Sequence, residues 1–222
     1  YGPCAFMDHY SPKTVFSSID KLGRYSFANQ APIIKWNLSR FAECLIPLID
    51  KNEDTAIKIA TEIIDNFEKI YEVKWLNMMR DKLGLFGENT NDRELINNLL
   101  SWMENNKADY TNTFCYLMNI RVSNSEIYND KSFINWLDVW KKRSLMNNGS
   151  KEKQLDIMLN ANPSVIPRNH KVEEALTSAN DGDLKVMNKL LSILDNPYGN
   201  QKGIEEYQSP SGNKEYQTFC GT

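Results

Sequence analysis

Asp8 and His9, side by side near the start of the chain, are the first residues whose types could do acid–base work. A carboxylate and an imidazole can pass a proton only when their side chains converge. Adjacent residues in an extended loop usually point apart, so this pair is expected to divide between two faces. The other histidine, His170, is expected in the first turn of a helix, where capping or surface duty fits better than catalysis. The four cysteines, Cys4, Cys44, Cys115 and Cys220, form no C-x-x-C pair. With only two histidines to add, a zinc site is not expected, and no metal is assigned to this chain. Cys44 and Cys115 fall on apolar helix faces and read as small buried hydrophobes. Cys220, two residues from the end, packs poorly by itself, so its use is expected to be chemical. Asp92, Glu94 and Glu104 read as solvated helix charges. From these residues alone no catalytic constellation can be assembled.

Charge and hydropathy narrow the field further. The net charge of −3 offers nothing to a polyanion, and nucleic acid is excluded as a partner on that ground. The most basic run, "WKKRS" at Trp140 to Ser144, falls where a helix should end, so it complements the helix dipole. No apolar run approaches the ~20 residues of a membrane span, and no membrane is expected as a partner. A reduced, cytoplasmic setting is the expectation for these cysteines.

The elements that must position these residues are helical. The first 32 residues carry no helical period and include Gly2-Pro3, Ser11-Pro12 and Gly23, which reads as an ordered loop. "PIIKWNLSRFAECL" follows, with Pro32 in a first helical turn and Pro47 ending or kinking the helix. Ala56, Ile57, Ala60, Ile63, Ile64, Phe67, Ile70 and Tyr71 recur at three- and four-residue steps, predicting one helix from a cap at Asn52 or Asp54 toward Arg80. Further helices are predicted over 92–105, around Tyr110, Phe114 and Leu117, and from a cap at Asp130 through Phe133, Trp136, Leu137 and Trp140. A weaker one covers 151–160, stopped by Asn162-Pro163. Two more, carrying Val172 to Ala179 and Leu184 to Leu194, form a hairpin with Gly182 as the stop and Asp183 as the next cap. No strand is predicted. The expectation is a mainly α chain: a loop over 1–32, a helical domain over 33–196 and an irregular tail over 197–222.

The loop carries the functional signal. "YGP", "FMDHY" and "GRYSFANQAPIIKWNLSRFAE" closely resemble the selenoprotein O family, kinase-like enzymes that move AMP from ATP to protein hydroxyls. In that family a strand ends in Asp-Tyr-Gly-Pro, and a loop with a Gly-Arg-Tyr-x-Phe-x-Asn-Gln-Pro pattern leads into a Trp-Asn-Leu helix. Here Gly23 to Gln30 match, Ala31 stands inserted before Pro32, and Trp36-Asn37-Leu38 follow. "YTNTFCYL", "FINWLDVWKKR", "NPSVIPRNHKVEEAL", "NPY" and the cysteine third from the end resemble later segments, so the likeness spans essentially the whole chain.

The resemblance implies the helical C-terminal part of a kinase-like fold, with an activation-segment-like loop at its front. Tyr1, Gly2 and Pro3 then follow the Asp that holds magnesium in kinase-like sites, and Asp8, Arg24 and Asn29 belong to the loop beyond it. ATP, Mg2+ and the catalytic residues are expected upstream of Tyr1, so the chain by itself is expected to hold no cofactor and to be inactive. Its implied partners are protein substrates and its own N-terminal lobe. Cys220 stands where relatives carry selenocysteine or cysteine, which implies a redox role. Many relatives place a second cysteine where this sequence has Phe16. Cys4 is the candidate partner here instead, and the pairing stays open. The alternative reading is a free-standing α-helical module that grips a partner with its aromatic loop.

Overall fold

The computed structural model describes residues 6–120, 122–146, 150–199 and 201–212. The described residues form helices and turns. Their only β-type pairings are two isolated bridges, His9 with Asp109 and Pro163 with Tyr198. No helix among them is long and apolar enough to cross a membrane.

The chain enters α1 (Gln30–Ile49) through a 3-10 turn at Phe27–Asn29, with Pro32 in the first turn, where its missing N–H costs nothing. Pro47 sits inside the last turn, and the helix stops two residues later. The long helix predicted toward Arg80 is in fact two, α2 (Glu53–Asp65) and α3 (Phe67–Lys82), parted at Asn66. Asparagine competes with the helix for its own backbone, so it is a natural place for a break. Asn52 caps α2 by accepting from the Thr55 amide.

Helices α4 (Asp92–Asn106), α5 (Tyr110–Leu117) and α6 (Lys131–Ser144) build the main core with α3 and α7 (Lys151–Ala161). Leu95, Ile96, Leu99 and Trp102 of α4 are all buried, as their spacing predicts. Trp102, Tyr128, Phe133 and Trp136 form a run of ring contacts with centroids 4.5–5.9 Å apart. The indoles of Trp136 and Trp140 bury their N–H groups on the carbonyls of Leu95 and Leu83, at 2.8 and 2.9 Å. Each ring thus adds apolar area without stranding a donor.

Helices α8 (Asn169–Asn180) and α9 (Lys185–Leu194) form the predicted hairpin, turning at Gly182 with φ +87°, a left-handed conformation that suits glycine. They share a second, smaller core with Ile204 and Tyr207. Within the segment predicted to be irregular, Glu205–Gln208 makes a short helix, α10, because Ile204 and Tyr207 find that core to pack on.

Three further expectations are corrected. Asp92 is fully buried, since Arg80 and Arg143 reach it from α3 and α6 with bonds of 2.7 and 2.6 Å. Arg143 therefore does more than complement a dipole. Cys44 is exposed, not buried. Of the predicted apolar run from Ala56 to Tyr71, only Ala56 and Ala60 are buried, leaving Ile57, Ile63, Ile70 and Tyr71 exposed. With Trp36, Phe41 and Leu48 of α1 also exposed, the outer faces of α1–α3 have nothing among the described residues to cover them.

Candidate functional site

The front segment is held by backbone pairing first. Tyr10 donates its amide to the Ala108 carbonyl and Tyr110 donates to that of Asp8, both at 2.9 Å, so the segment lies along the entry to α5. Farther back, Asn169 clasps Phe6 from α8. Its Nδ2 donates to the Phe6 carbonyl at 2.9 Å and its Oδ1 accepts from the Phe6 amide at 3.1 Å.

This pairing turns Asp8 inward and leaves His9 exposed. The Asp8 carboxylate accepts from Arg168 Nη1 at 2.7 Å. The same guanidinium donates to Asp109 at 2.6 and 3.2 Å, to Asn112 Oδ1 at 3.3 Å and to the Gln208 carbonyl at 2.6 Å. Arg168 is only 1% exposed. Burial works against its charge, yet Asp109 and Asp8 outweigh that and raise its pKa. Asp109 also caps α5, accepting from the Asn112 amide at 2.7 Å. Gln208 closes the node by donating its side-chain amide to the Ser164 carbonyl at 2.9 Å. One buried cation therefore ties together the front segment, α5, α8 and α10. It is a positioning device, since its charged groups are engaged with one another and none is free to act as base or nucleophile.

Beyond Asp8 the loop is braced from inside. Phe27 and Ala28 donate their amides to the carbonyls of Thr14 and Pro12, both at 2.9 Å. Asp20 accepts from the amides of Arg24 and Tyr25 at 2.8 Å. Asn29 donates from Nδ2 to the Gly23 carbonyl at 2.7 Å, across a turn that Gly23 makes at φ +66°. The Arg24 guanidinium lies 4.7 Å from the Trp36 ring centroid, which fastens the loop to α1 through a cation–π contact. Tyr10, Phe27 and Tyr110 pack as an aromatic triad beneath the loop.

His170, at the start of α8, is half-buried, and its Nδ1 has no partner among the described residues. Burial lowers its pKa, with Asp8 opposing. Cys115 is buried, and burial pushes its thiol up to about 12. Among the described residues no group of three or more His, Cys, Asp or Glu could hold a metal ion.

Of the residues singled out from the sequence, Asp8 anchors the base of the loop on Arg168 while Arg24 and Asn29 brace its crest against Trp36 and Gly23, and Tyr1, Gly2, Pro3, Cys4 and Cys220 lie outside the described residues. Arg168, Asp109 and Gln208 carry the node and were not predicted. Arg168 is 160 residues from Asp8 and 59 from Asp109, and no local pattern marks such a pairing.

A family model described as protein adenylyltransferase SelO matches residues 1–195. A protein nucleotidyltransferase YdiU of Pelagibacter ubique is 60% identical over 224 aligned residues, covering all of this chain and 46% of the relative. Proteins of the same name from Alkaliphilus metalliredigens and Clostridium beijerinckii are 47% and 48% identical, with the same shares covered. The chain spans about half the length of the curated relatives it matches.

Proposed function

Since the chain belongs to the SelO family of protein nucleotidyltransferases, we propose that the protein transfers AMP from ATP to Ser, Thr or Tyr hydroxyls of other proteins. In this reading the chain is the helical lobe of a kinase-like fold, and its front segment lines the mouth of the active site. The observation that carries it is the braced loop, in which the Gly23 to Gln30 pattern forms a compact turn whose base is locked to α5 and α8 by Asp8 and Arg168. A loop held at both its base and its crest can present a peptide hydroxyl in a fixed place, which is most of what phosphate-transfer chemistry asks of protein.

ATP and magnesium are assigned to the portion of the family's length that this chain does not span. Magnesium there would neutralise the charge developing on the phosphates. What the chain's own residues do is position the loop. The uncovered apolar faces of α1–α3 support a second lobe as their partner. A redox link between Cys220 and Cys4 belongs to the same proposal, as does a cytoplasmic location.

The test is transfer of labelled AMP from ATP and magnesium by this chain and by a protein spanning the full family length. Labelling of a protein acceptor by the longer protein alone is expected. Transfer by the chain itself would overturn the placement of the ATP site, and no transfer by either would overturn the activity.

A further inference from the structure

Beneath the front segment lies a cavity of about 270 Å3 that the loop's positioning role leaves unused. Phe16 and Phe27 line it from the loop, Phe114 from α5, and Ile166 from the stretch before α8. Among the described residues on its wall the one charged group is Lys82, the last residue of α3. Its ammonium donates to Asn162 Oδ1 at 2.9 Å and to the Ala161 carbonyl at 3.3 Å. It also lies 4.7 Å from the Phe114 ring centroid and 5.6 Å from that of Tyr110. No carboxylate among the described residues pairs with it.

A mostly buried cation held by neutral oxygens and ring faces is incompletely compensated, because carbonyl dipoles and π clouds offset only part of a lost hydration shell. The titratable groups facing it, Cys115 and Tyr110, are neutral at pH 7 and burial raises both their pKa values further, so neither supplies a negative charge. Lys82 thus has one N–H left to give and a positive charge with no counter-ion among the described residues, at the edge of an apolar space.

We propose that this cavity binds a small carboxylic acid anion with an aromatic or aliphatic body, its carboxylate on Lys82 and its body among Phe16, Phe27, Phe114 and Ile166. One cation calls for one negative charge, and the surrounding rings disfavour a second. The volume lies at the low end for ligand sites, which limits the body to about one ring or a short chain. Because Phe16 and Phe27 belong to the loop, an occupant would pack against the loop's underside and stiffen it.

The probe is 3-phenylpropionate, titrated into the whole chain by NMR, with the neutral 3-phenylpropanamide as its control. Saturable binding of the carboxylate with Kd of about 1 mM or tighter is expected, and binding of the amide at least about tenfold weaker. Lys82→Met should weaken the carboxylate about tenfold and leave the amide unchanged. The unsubstituted chain offers an independent check, since its affinity for the carboxylate should fall as the pH rises from 7 to 10 and the ammonium is lost. Equal binding of acid and amide, affinity that does not change with pH, or no saturation at 10-fold the expected Kd would each overturn the proposal.

Discussion

Replacing Lys82 by methionine should stabilise this protein at neutral pH, although it deletes two hydrogen bonds. Burial lowers the amine's pKa from the ordinary 10.5 to about 8. At roughly 1.4 kcal/mol for each pH unit, keeping the ammonium charged in that site costs about 3 kcal/mol at pH 7. Methionine fills a similar volume without that cost. It leaves Asn162 Oδ1 and the Ala161 carbonyl without their donor, a loss of about 2 kcal/mol. The variant is therefore expected to be about 1 kcal/mol more stable at pH 7. The sign with pH is firmer than the size. Below pH 8 the folded and unfolded chains both hold the proton. Between pH 8 and 10.5 the unfolded chain still holds it and the folded chain does not, so the parent's stability rises with pH and the variant's advantage shrinks. From pH 7 to pH 10 the difference between the two should swing by about 2–3 kcal/mol in the parent's favour. Urea unfolding of both chains at pH 7, 8.5 and 10 measures it, and residues that titrate alike in the two cancel. A difference that stays constant with pH would refute the claim that Lys82 is a strained cation.

Arg168→Ala leaves Asp109 and Asp8 facing each other without their cation and should cost about 3–5 kcal/mol, with faster hydrogen exchange at the Tyr10 and Tyr110 amides as the loop base loosens. Asp92→Ala strands Arg80 and Arg143 and should cost about 3–5 kcal/mol in urea unfolding. Burial works to raise the Asp92 pKa, but Arg143 and Arg80 outweigh it and hold the carboxyl below its ordinary value. Its contribution is thus present above the ordinary carboxylate pKa and lost as the pH falls through the folded one, so the parent's advantage over Asp92→Ala should shrink in acid. Gly84→Ala must place a Cβ 2.5 Å from Gln154 Cγ at φ +61°, and should lower the melting temperature as α7 is pushed away. A thiol reagent under native conditions should label Cys44 well before Cys115, which is buried with its thiol pushed up to about 12.

The Lys82 site illustrates which properties the sequence carried. Helices were legible wherever the chain pays attention to its own neighbours: Asp130 capping α6, Leu95 to Trp102 lining one face of α4, Gly182 turning the α8–α9 hairpin. Capping, periodicity and left-handed turns are set within a few residues, so a reading of local pattern recovers them. The family, too, was legible, because the Gly23 to Gln30 pattern is long and mixed in composition. Only the tertiary structure decided the fate of the charges. Asp92 looked like any solvated helix acid until α3 and α6 brought Arg80 and Arg143 to it, and Arg168 acquired its role from Asp8 and Gln208, 160 and 40 residues away. The same holds for the apolar stripe of α2 and α3, whose period predicts a helix but not which helix faces will be covered. Burial depends on what the rest of the chain brings alongside, and the energy of a charge depends on burial, so neither is written into the residues that carry them.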